Sequence, residues 1–301
     1  MVNISSNKRV LIAGISGNLG SYLYTNIKNK DNIFSIGRDE NTTQNYNKLN
    51  FNSTSQMDLF FENAKCFDIF IFFIGLAHNK GDASTFSNHH HTNYEILKNL
   101  LSSARKQNKV PKKIIYTSTI SVYGERYSLE NYNEDLKPIP FSPYAITKRK
   151  AEELLIEKYQ DISWILRLGP VYSKNFMLNI KRRTKFLGFH TRIGSGNNKL
   201  SLCNIKNIGF VIEHIINNKI PNGVYNLVDG VDYSYNDLIK LYNKKNILRI
   251  PRFFIFLIYY FSEKLNFVFL KENSIKLITN NIFSSKKIQK FIALPYSLKD
   301  L

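Results

Sequence analysis

Short apolar runs alternate with amphipathic stretches between residues 9 and 168 of the 301-residue chain. The apolar runs have the length of strands and are Arg9–Gly14, Ile33–Gly37, Asp68–Gly75, Lys113–Ser118 and Ser163–Leu168. The amphipathic stretches have the length of helices and are Asn18–Lys30, Gln56–Ala64, Asn93–Gln107 and Pro143–Tyr159. This alternation is typical of βαβ units, in which parallel strands are covered by helices on both faces. The sequence therefore predicts an α/β fold.

The third apolar run and the region after Leu168 refine this prediction. Every residue from Ile69 to Ile74 is apolar, as expected for a central strand buried on both faces. After Leu168 the pattern loosens, and the last fifty residues are mostly helix-like. We predict a Rossmann-type, doubly wound parallel sheet with a smaller, mostly helical C-terminal substrate lobe. The expected first lobe spans residues 1–171, with 205–230 returning to it, and the second spans 172–204 and 231–301.

Composition excludes several other classes of protein. The 42 Lys and Arg residues against 23 Asp and Glu give a formal charge of +19, but the basic residues are scattered along the chain. Because no basic run lies on a recognisable reading element, we predict no nucleic-acid partner. The two cysteines, Cys66 and Cys203, are too far apart for a zinc finger and too few for a disulfide scaffold. Such cysteine usage suits a reducing cytosol, and we expect a cytoplasmic location.

The longest apolar stretch, Phe253–Phe261, is too short to cross a membrane. Nine helical residues rise about 14 Å, whereas a bilayer core is about 30 Å thick. We therefore predict no transmembrane span. We favour a buried helix or a subunit contact for this stretch. The alternative is a helix in the plane of a membrane, flanked by Arg249, Arg252 and Lys264.

A glycine-rich motif, Gly14-Ile15-Ser16-Gly17-Asn18-Leu19-Gly20, follows the first strand and opens the first helix. Glycines at this spacing permit a tight turn, let the backbone approach a pyrophosphate, and let the helix pack on the strand. The helix N-terminus supplies N–H groups and a positive dipole end for the phosphates. The motif predicts a dinucleotide site with contacts from Gly14, Gly17, Asn18, Leu19 and Gly20.

The end of the second strand bears on which dinucleotide is bound. Arg38 follows this strand, and a guanidinium there favours a 2′-phosphate. We therefore slightly favour NADP(H) over NAD(H). Asp39 is the alternative, because a carboxylate at this point accepts a hydrogen bond from a free ribose 2′-hydroxyl.

A second motif places Tyr144 and Lys148 one turn apart on a predicted helix that Ser142-Pro143 begins. An ammonium held beside a phenol favours the phenolate, and such a tyrosine can exchange a proton with a carbinol oxygen. By itself the spacing also fits an ordinary surface pair. The strand that ends in Ser118-Thr119 offers a hydroxyl for the same oxygen.

Together these motifs resemble the extended short-chain dehydrogenase/reductase family, which contains nucleotide-sugar epimerases, dehydratases and reductases. The resemblance implies Thr119, Tyr144 and Lys148 as catalytic residues and Asn93 as a structural asparagine. It implies further cofactor contacts from Arg38, Phe73, Ile74, Gly75, Ser118, Tyr144, Lys148, Pro170 and Val171. Ile120-Ser121 follow the active threonine where family 4,6-dehydratases carry Asp-Glu, so we do not expect that reaction.

The resemblance implies a nucleotide-sugar substrate. The residues that it places on the substrate are His78, Thr119, Tyr123, Asn175, Arg183 and Lys199. The arginine that the family usually offers to the nucleotide diphosphate is missing from Lys199–Ile205, and its replacement is Lys199, Arg192, Arg182 or Arg183. We predict no metal site, since His89-His90-His91 fit a solvated loop or helix start.

Three functions follow from these expectations. The first is an NAD(P)-dependent 4-ketoreductase that acts on a nucleotide sugar in surface-polysaccharide synthesis. The alternative is a nucleotide-sugar 4-epimerase that retains NAD, and a less favoured one is a non-catalytic cofactor-binding regulator. The resemblance also implies a homodimer that pairs Asn93–Gln107 and Pro143–Tyr159 with their copies in a four-helix contact.

Overall fold

The computed structural model describes residues 2–4, 7–77, 85–124, 131–186, 188–242 and 247–301. The strands are β1 (Val10–Ala13), β2 (Ile33–Gly37), β3 (Tyr46–Lys48), β4 (Ile69–Phe72), β5 (Lys113–Thr119), β6 (Asn131–Tyr132), β7 (Ser163–Leu168), β8 (Val171–Tyr172), β9 (Lys185–Phe186), β10 (Phe189–Ile193), β11 (Lys199–Leu200), β12 (Cys203–Asn204), β13 (Gly223–Leu227), β14 (Tyr233–Ser234), β15 (Leu248–Ile250) and β16 (Ile282–Phe283).

The α-helices are α1 (Asn18–Asn26), α2 (Thr54–Asn63), α3 (Thr85–His90), α4 (Ile96–Lys106), α5 (Pro143–Lys158), α6 (Leu178–Thr184), α7 (Ile205–Ile216), α8 (Tyr235–Lys240), α9 (Arg252–Lys264), α10 (Val268–Ile278) and α11 (Lys286–Gln289). A π-helical turn, His91–Glu95, joins α3 to α4. Short 3₁₀ turns occupy Ile120–Tyr123, Gln160–Ile162 and Leu298–Asp300.

A seven-stranded parallel sheet has the strand order β13-β7-β5-β4-β1-β2-β3, which confirms the predicted Rossmann-type fold. The chain moves outward from β1 through β2 to β3 and then crosses back to β4, so β1 pairs in parallel with both β2 and β4. The carboxyl ends of β1 and β4 therefore form the topological switch point, where open α/β sheets bind their ligands. The edge strand β3 was not predicted, because Tyr46-Asn47-Lys48 has no apolar run.

The chain divides into two compact units. The first comprises Met1–Thr119, Pro143–Arg167 and Gly209–Tyr225, and the second comprises Ile120–Ser142, Leu168–Ile208 and Asn226–Leu301. The sequence-based boundaries differ from these ranges chiefly at 120–142, which they place in the first lobe. This segment belongs to the second unit because β6 pairs with β16, and the rings of Tyr132 and Phe283 stack with centroids 4.7 Å apart.

The first unit buries the apolar strands against one stripe of each helix. In α4, the residues Leu97, Leu100, Leu101 and Ala104 recur at helical spacing and are almost fully buried. They pack in one cluster with β1, β4 and β5, and β1 and β4 are apolar on both faces. This arrangement explains why the strands read as continuous apolar runs in the sequence.

The second unit is organised around the buried carboxylate of Asp229. Its two oxygens accept hydrogen bonds from the Tyr172 and Tyr233 hydroxyls, at 2.6 and 2.8 Å, and from the backbone N–H of Asn204 at 2.7 Å. The amide of Asn207 donates a further bond at 2.9 Å. Burial raises the pKa of Asp229, although these donors oppose the shift. The carboxylate thus ties β8, β12, α7 and β14 together.

Helix α9 contains the long apolar stretch and differs from the favoured expectation of a buried helix. Within α9, all of whose residues the structure describes, Ser262 is the only buried side chain. The burial expected within the chain is therefore wrong, and a subunit contact or a membrane surface remains. Among the residues that the structure describes, no helix is both long enough and apolar enough to cross a bilayer.

The glycine loop supplies a first prediction, on stability. A Cβ at Gly20 would lie 2.3 Å from the Gly14 carbonyl oxygen, which is backbone and must shift. A Cβ at Gly17 would meet that oxygen at an ordinary 3.5 Å, and the φ of −75° at Gly17 suits any residue. We expect Gly20→Ala to lower the free energy of unfolding by about 1–3 kcal/mol and Gly17→Ala by less than about 0.5 kcal/mol. Urea denaturation followed by circular dichroism measures both, and equal losses would contradict the packing argument.

Candidate active site

The loop between β1 and α1 is shaped for close backbone approach. Gly14 has a φ of +90°, and a Cβ there would lie 2.9 Å from the backbone nitrogen of Ile74. Gly17 caps α1 without a side chain, and the first turn, Asn18-Leu19-Gly20-Ser21, is uncharged. The helix N-terminus therefore presents N–H groups and a positive dipole end beside a bare backbone. This cradle fits the pyrophosphate of a dinucleotide, as the motif predicts.

Asn93 holds the segment that follows β4. Its Oδ1 accepts the backbone N–H of Leu76 at 2.7 Å, and its Nδ2 donates to the Leu76 carbonyl at 3.3 Å. Nδ2 also lies 3.1 Å from the Thr147 hydroxyl on α5. The side chain thus pairs both backbone groups of Leu76 and anchors them to the helix that bears Lys148. This is a structural role, as the resemblance implies for Asn93.

Lys148 is buried at the carboxyl end of β5. Its Nζ donates to the Thr117 carbonyl at 3.0 Å and lies 4.8 Å from the centre of the Tyr116 ring. A Cβ on Gly75 would approach Nζ to 3.0 Å, so the bare glycine leaves room for the amine. Burial lowers the pKa of Lys148 to about 7, and the negative charge of Glu152 opposes this shift. The amine is therefore fixed in position and close to its titration point at neutral pH.

Tyr144 lies one turn before Lys148 and is half-buried, while Ser118 and Thr119 are buried where β5 ends. Burial raises the pKa of the neighbouring Tyr116, and the charges of Glu152 and Tyr144 add to the effect. The first unit thus collects Gly75, Lys148, Tyr144 and the hydroxyl-bearing end of β5 at one edge of the sheet. A phenol, an amine and a hydroxyl so placed are suited to moving a proton to or from a substrate oxygen.

A buried ion-pair network behind Lys148 was missed by the sequence reasoning. The carboxylate of Glu152 is fully buried. It accepts two hydrogen bonds from the Arg167 guanidinium, at 3.0 and 2.7 Å, and one from Arg149 at 3.0 Å. It also accepts a hydrogen bond from the Ser118 hydroxyl at 2.5 Å, so the hydroxyl hydrogen of Ser118 is donated to Glu152. Two signals were available. Glu152 lies four residues after Lys148 on the same helix, and Arg167 is the only charged residue of the run Ser163–Leu168.

His89 is a second residue that the sequence reasoning placed wrongly. The histidine triplet was expected in a solvated loop or helix start, but it lies at the end of α3, which begins at Thr85, and in the π-helical turn that follows. However, His89 is buried, its ring centre lies 6.3 Å from that of Tyr144, and Nδ1 lies 3.4 Å from the Asn93 amide. Burial lowers the pKa of His89, so the ring is held neutral near the phenol.

Arg38 and Asp39 follow β2 as the sequence predicts. The Arg38 side chain is 81% exposed, and its Nε lies 3.2 Å from the Asp39 carboxylate. The Tyr46 hydroxyl donates to the Asp39 carbonyl, which holds this turn against the edge strand β3. The two side chains on which the predicted choice between NADP(H) and NAD(H) depends therefore lie side by side after the second strand.

Phe73 lies in the first unit, where its N–H donates to the Ala13 carbonyl at 2.9 Å, and the other predicted site residues lie in the second unit or outside the described residues. The Pro170 carbonyl accepts the Cys203 N–H at 3.1 Å, and Val171 lies in β8, which pairs with β12. Tyr123 is fully buried, and its hydroxyl donates to Asn226 at 2.8 Å. This placement favours packing, so its contact with substrate stays a prediction. His78 lies outside the described residues.

The candidate phosphate-binding residues of the second unit differ in their surroundings. Asn175 and Lys199 are exposed, whereas Arg183 is half-buried and donates to the Asn179 carbonyl at 2.8 Å. Arg192, one of the sequence alternatives, has a buried Nε with no hydrogen-bond partner among the described residues. A buried guanidinium nitrogen without a partner fits an anionic ligand. The contacts of these four residues with a substrate stay predictions.

Comparisons with known proteins agree with this geometry. The sequence model of the NAD dependent epimerase/dehydratase family matches residues 10–227. UDP-N-acetylglucosamine 4-epimerase from Bacillus cereus superposes with a TM-score of 0.69 at 18% identity, covering 99% of this chain and 92% of that chain. dTDP-4-dehydrorhamnose reductase from Bacillus anthracis, in complex with NADP, gives a TM-score of 0.68 at 18% identity, with 96% and 95% coverage. No curated protein sequence matches the chain.

A third solved structure, UDP-glucuronic acid 4-epimerase from Bacillus cereus in complex with NAD, has a TM-score of 0.70 at 18% identity, covering 97% of this chain and 93% of that chain. At such identities the superpositions show a shared fold and leave the reaction open. The family match spans the glycine loop, the end of β5 and the Tyr144–Lys148 pair. On this evidence, the chain belongs to the NAD-dependent epimerase/dehydratase family.

Proposed function

We propose that this protein is an NAD(P)-dependent nucleotide-sugar oxidoreductase that reduces a ketone at C4 of the sugar. The observation that carries the proposal is the buried amine of Lys148, one turn beyond the half-buried phenol of Tyr144 and beside the bare backbone of Gly75. Burying an amine is costly unless something is gained from its charge. For the same reason, we disfavour the hypothesis that the protein is a non-catalytic, cofactor-binding regulator.

The bound nicotinamide would supply the hydride. Tyr144 gives its phenolic proton to the carbonyl oxygen as the carbon accepts that hydride, so the ketone becomes an alcohol and the phenol a phenolate. The Lys148 ammonium stabilises the phenolate, and the Thr119 hydroxyl holds the substrate oxygen. Gly14, Gly17 and the N-terminus of α1 would hold the pyrophosphate of the cofactor. A proton from solvent then restores the phenol.

On the substrate side, Arg183, Arg192 and Lys199 are the proposed partners of the nucleotide diphosphate. The buried Nε of Arg192, which has no hydrogen-bond partner among the described residues, supports its inclusion. Because guanidinium groups bind phosphate oxygens in a planar fork, one arginine can replace the family residue that this chain lacks. A cytoplasmic location and a homodimer remain proposals beside this one.

The second candidate function is a nucleotide-sugar 4-epimerase that retains NAD. The carboxylate of Asp39, 3.2 Å from the Arg38 side chain, supports it, since it can accept the ribose 2′-hydroxyl of NAD. The same three residues, Thr119, Tyr144 and Lys148, serve this reaction. It differs in that the hydride returns to the other face of the sugar.

A substrate panel distinguishes the two reactions. The protein is incubated with UDP- and dTDP-linked 4-keto sugars plus NADPH, and separately with UDP-sugars without added cofactor. We expect one NADPH to be consumed per sugar reduced, measured by absorbance and chromatography. Interconversion of C4 epimers without consumption would support the epimerase instead.

Removal of the phenol tests the mechanism. We expect Tyr144→Phe to lower kcat at least about 100-fold while the Kd for cofactor changes little, because the ring stays and only the proton donor is lost. Tyr159→Phe, just beyond the end of α5, serves as the matched control and should retain activity. Turnover unchanged in Tyr144→Phe would exclude this tyrosine as the acid.

The buried amine makes a pH-dependent contribution to stability. The pKa of Lys148 is about 7 in the folded chain against an ordinary 10.5, so the unfolded chain binds more protons between these values. The destabilisation due to Lys148 is therefore complete below about pH 7 and disappears as pH rises toward its ordinary pKa. We expect Lys148→Met to abolish turnover. Because methionine carries no charge, this variant should have a higher Tm than the unmodified protein at pH 7, and the difference should shrink steadily as the pH rises.

Melting curves without cofactor over this pH range measure that difference. Lys158→Met is the control, because Lys158 is exposed on the same helix. Its Tm difference from the unmodified protein should not vary with pH in this range. A Tm difference for Lys148→Met that is equally independent of pH would contradict the burial of a titrating amine.

Arg38 tests the cofactor preference. We expect Arg38→Asp to lower kcat/KM for NADPH by about tenfold or more relative to NADH, because a charge that attracts the 2′-phosphate becomes one that repels it. Steady-state kinetics with both cofactors measure the ratio. Lys65→Asp, an equal charge change at an exposed site, should leave the ratio unchanged. A ratio that is also unchanged in Arg38→Asp would remove the argument for NADP.

A further inference from the structure

The helical hairpin α9–α10 concentrates the exposed apolar surface of the protein. Among the described residues, seventeen large apolar side chains are exposed, and nine of them lie between Phe253 and Leu270. Phe253 is 63% exposed and Leu265 is 61% exposed. Isolated exposed apolar side chains are ordinary, but a contiguous patch of this kind marks a surface that binds something.

Helix α9 exposes most of its apolar side chains, unlike an ordinary helix of a globular protein. Its one buried side chain, in a helix whose residues are all described, is the hydroxyl-bearing Ser262, which donates back to the Tyr259 carbonyl at 2.8 Å. Phe253 and Tyr260 lie on the face opposite Ser262 and are exposed. Phe254, Ile258 and Phe261 are also exposed but lie nearer to Ser262, and they line a groove of about 430 Å³ together with Ser262, Leu257 and Leu270.

In the turn between the helices, three backbone N–H groups are hydrogen-bonded within the hairpin. Asn266 has a φ of +56°. The N–H of Phe267 donates to the Ser262 carbonyl at 2.9 Å, and the N–H of Asn266 donates to the Glu263 carbonyl at 3.4 Å. The N–H of Leu265 bonds to Phe261 at 2.9 Å. These bonds pair three N–H donors of the turn, which lowers the cost of placing the turn at a bilayer surface. Leu265 and Phe267 project from it, exposed.

Charge selects between the possible occupants of this surface. From residue 247 to 276 the chain has five Lys and Arg residues and two acids, and both acids are paired, Glu263 with Lys271 at 2.9 Å and Glu272 with Lys276 at 4.0 Å. Arg249, Arg252 and Lys264 have no acidic partner among the described residues and stand at the two ends of α9. The whole chain carries +19. A second copy would meet these cations with like charge, whereas an anionic bilayer complements them.

We propose that the α9–α10 hairpin docks the protein on the surface of an anionic lipid bilayer. The apolar face of α9 and the tip at Leu265–Phe267 lie among the outer acyl segments, with the helix in the plane of the membrane. Arg249, Arg252 and Lys264 lie at the level of the lipid phosphates. The proposal does not depend on the reaction proposed for the candidate active site.

Vesicle flotation of the full chain tests this proposal and needs no turnover. The probes are vesicles of phosphatidylcholine alone and of phosphatidylcholine mixed with phosphatidylglycerol. We expect the protein to float with the anionic vesicles, to float far less with the neutral ones, and to be released by added salt. The combined Phe254→Ser, Phe261→Ser and Leu265→Ser substitutions should lower the bound fraction at least about tenfold, as should Arg249→Gln with Lys264→Gln at moderate salt.

The matched control changes three exposed apolar residues elsewhere, as Leu59→Ser, Phe86→Ser and Phe291→Ser, and should float like the unmodified protein. Circular dichroism and melting curves establish that each variant is folded. Failure of the unmodified protein to float with anionic vesicles would overturn the proposal, as would equal flotation of the apolar triple variant. A dimer of the unmodified protein would also overturn the proposal if analytical ultracentrifugation shows that the triple variant dissociates it and no vesicle binding is observed. The α9–α10 face would then join two copies of the chain.

Discussion

The buried amine of Lys148 is the interaction on which the rest of the candidate site depends. It bonds to the end of β5 through the Thr117 carbonyl and lies over the Tyr116 ring, in space that Gly75 leaves open. One turn further along α5, Glu152 supplies the negative charge that partly restores the amine's protonation. Glu152 is itself held by two arginines, Arg149 and Arg167. The group as a whole is cationic, and such a surrounding favours a phosphate-bearing cofactor.

The glycines and Asn93 make this placement possible from the side of the sheet. Gly14 approaches Ile74 so closely that a Cβ would lie 2.9 Å from its nitrogen, which brings the ends of β1 and β4 together at the switch point. Asn93 then pairs both backbone groups of Leu76, and through Thr147 it connects that segment to α5. The glycine loop proposed to hold the pyrophosphate and the proposed acid–base pair, Tyr144 and Lys148, are therefore fixed to one framework. A cofactor held by the first would be presented to the second without a large rearrangement.

The sequence predicted the sheet well, because parallel strands buried on both faces are readable as apolar runs. Ile33–Gly37 and Ser163–Leu168 agree with the structure to the residue. The edge strand β3 was missed since it is polar, and the predicted helix Asn18–Lys30 ends at Asn26, where Ile27 turns to an extended conformation. Single residues were harder. Glu152 and Arg167 come together only through the tertiary fold, fifteen residues apart, and no periodicity reveals a pair that meets between a helix and a strand.

The apolar stretch in α9 shows a limit of a different kind. A helix that is apolar on every face gives no indication of which face is turned inward, and burial is then the ordinary expectation. Here the chain turns inward the face that bears Ser262, so most of the apolar area of α9 contributes little to the stability of the monomer. Such a surface in water promotes association unless a large net charge opposes it. The charge of +19 opposes association of two such faces, whereas it is complementary to an anionic membrane. The composition and the exposed hairpin therefore belong to one argument, since the charge that disfavours pairing of two α9–α10 faces favours the lipid surface proposed for them.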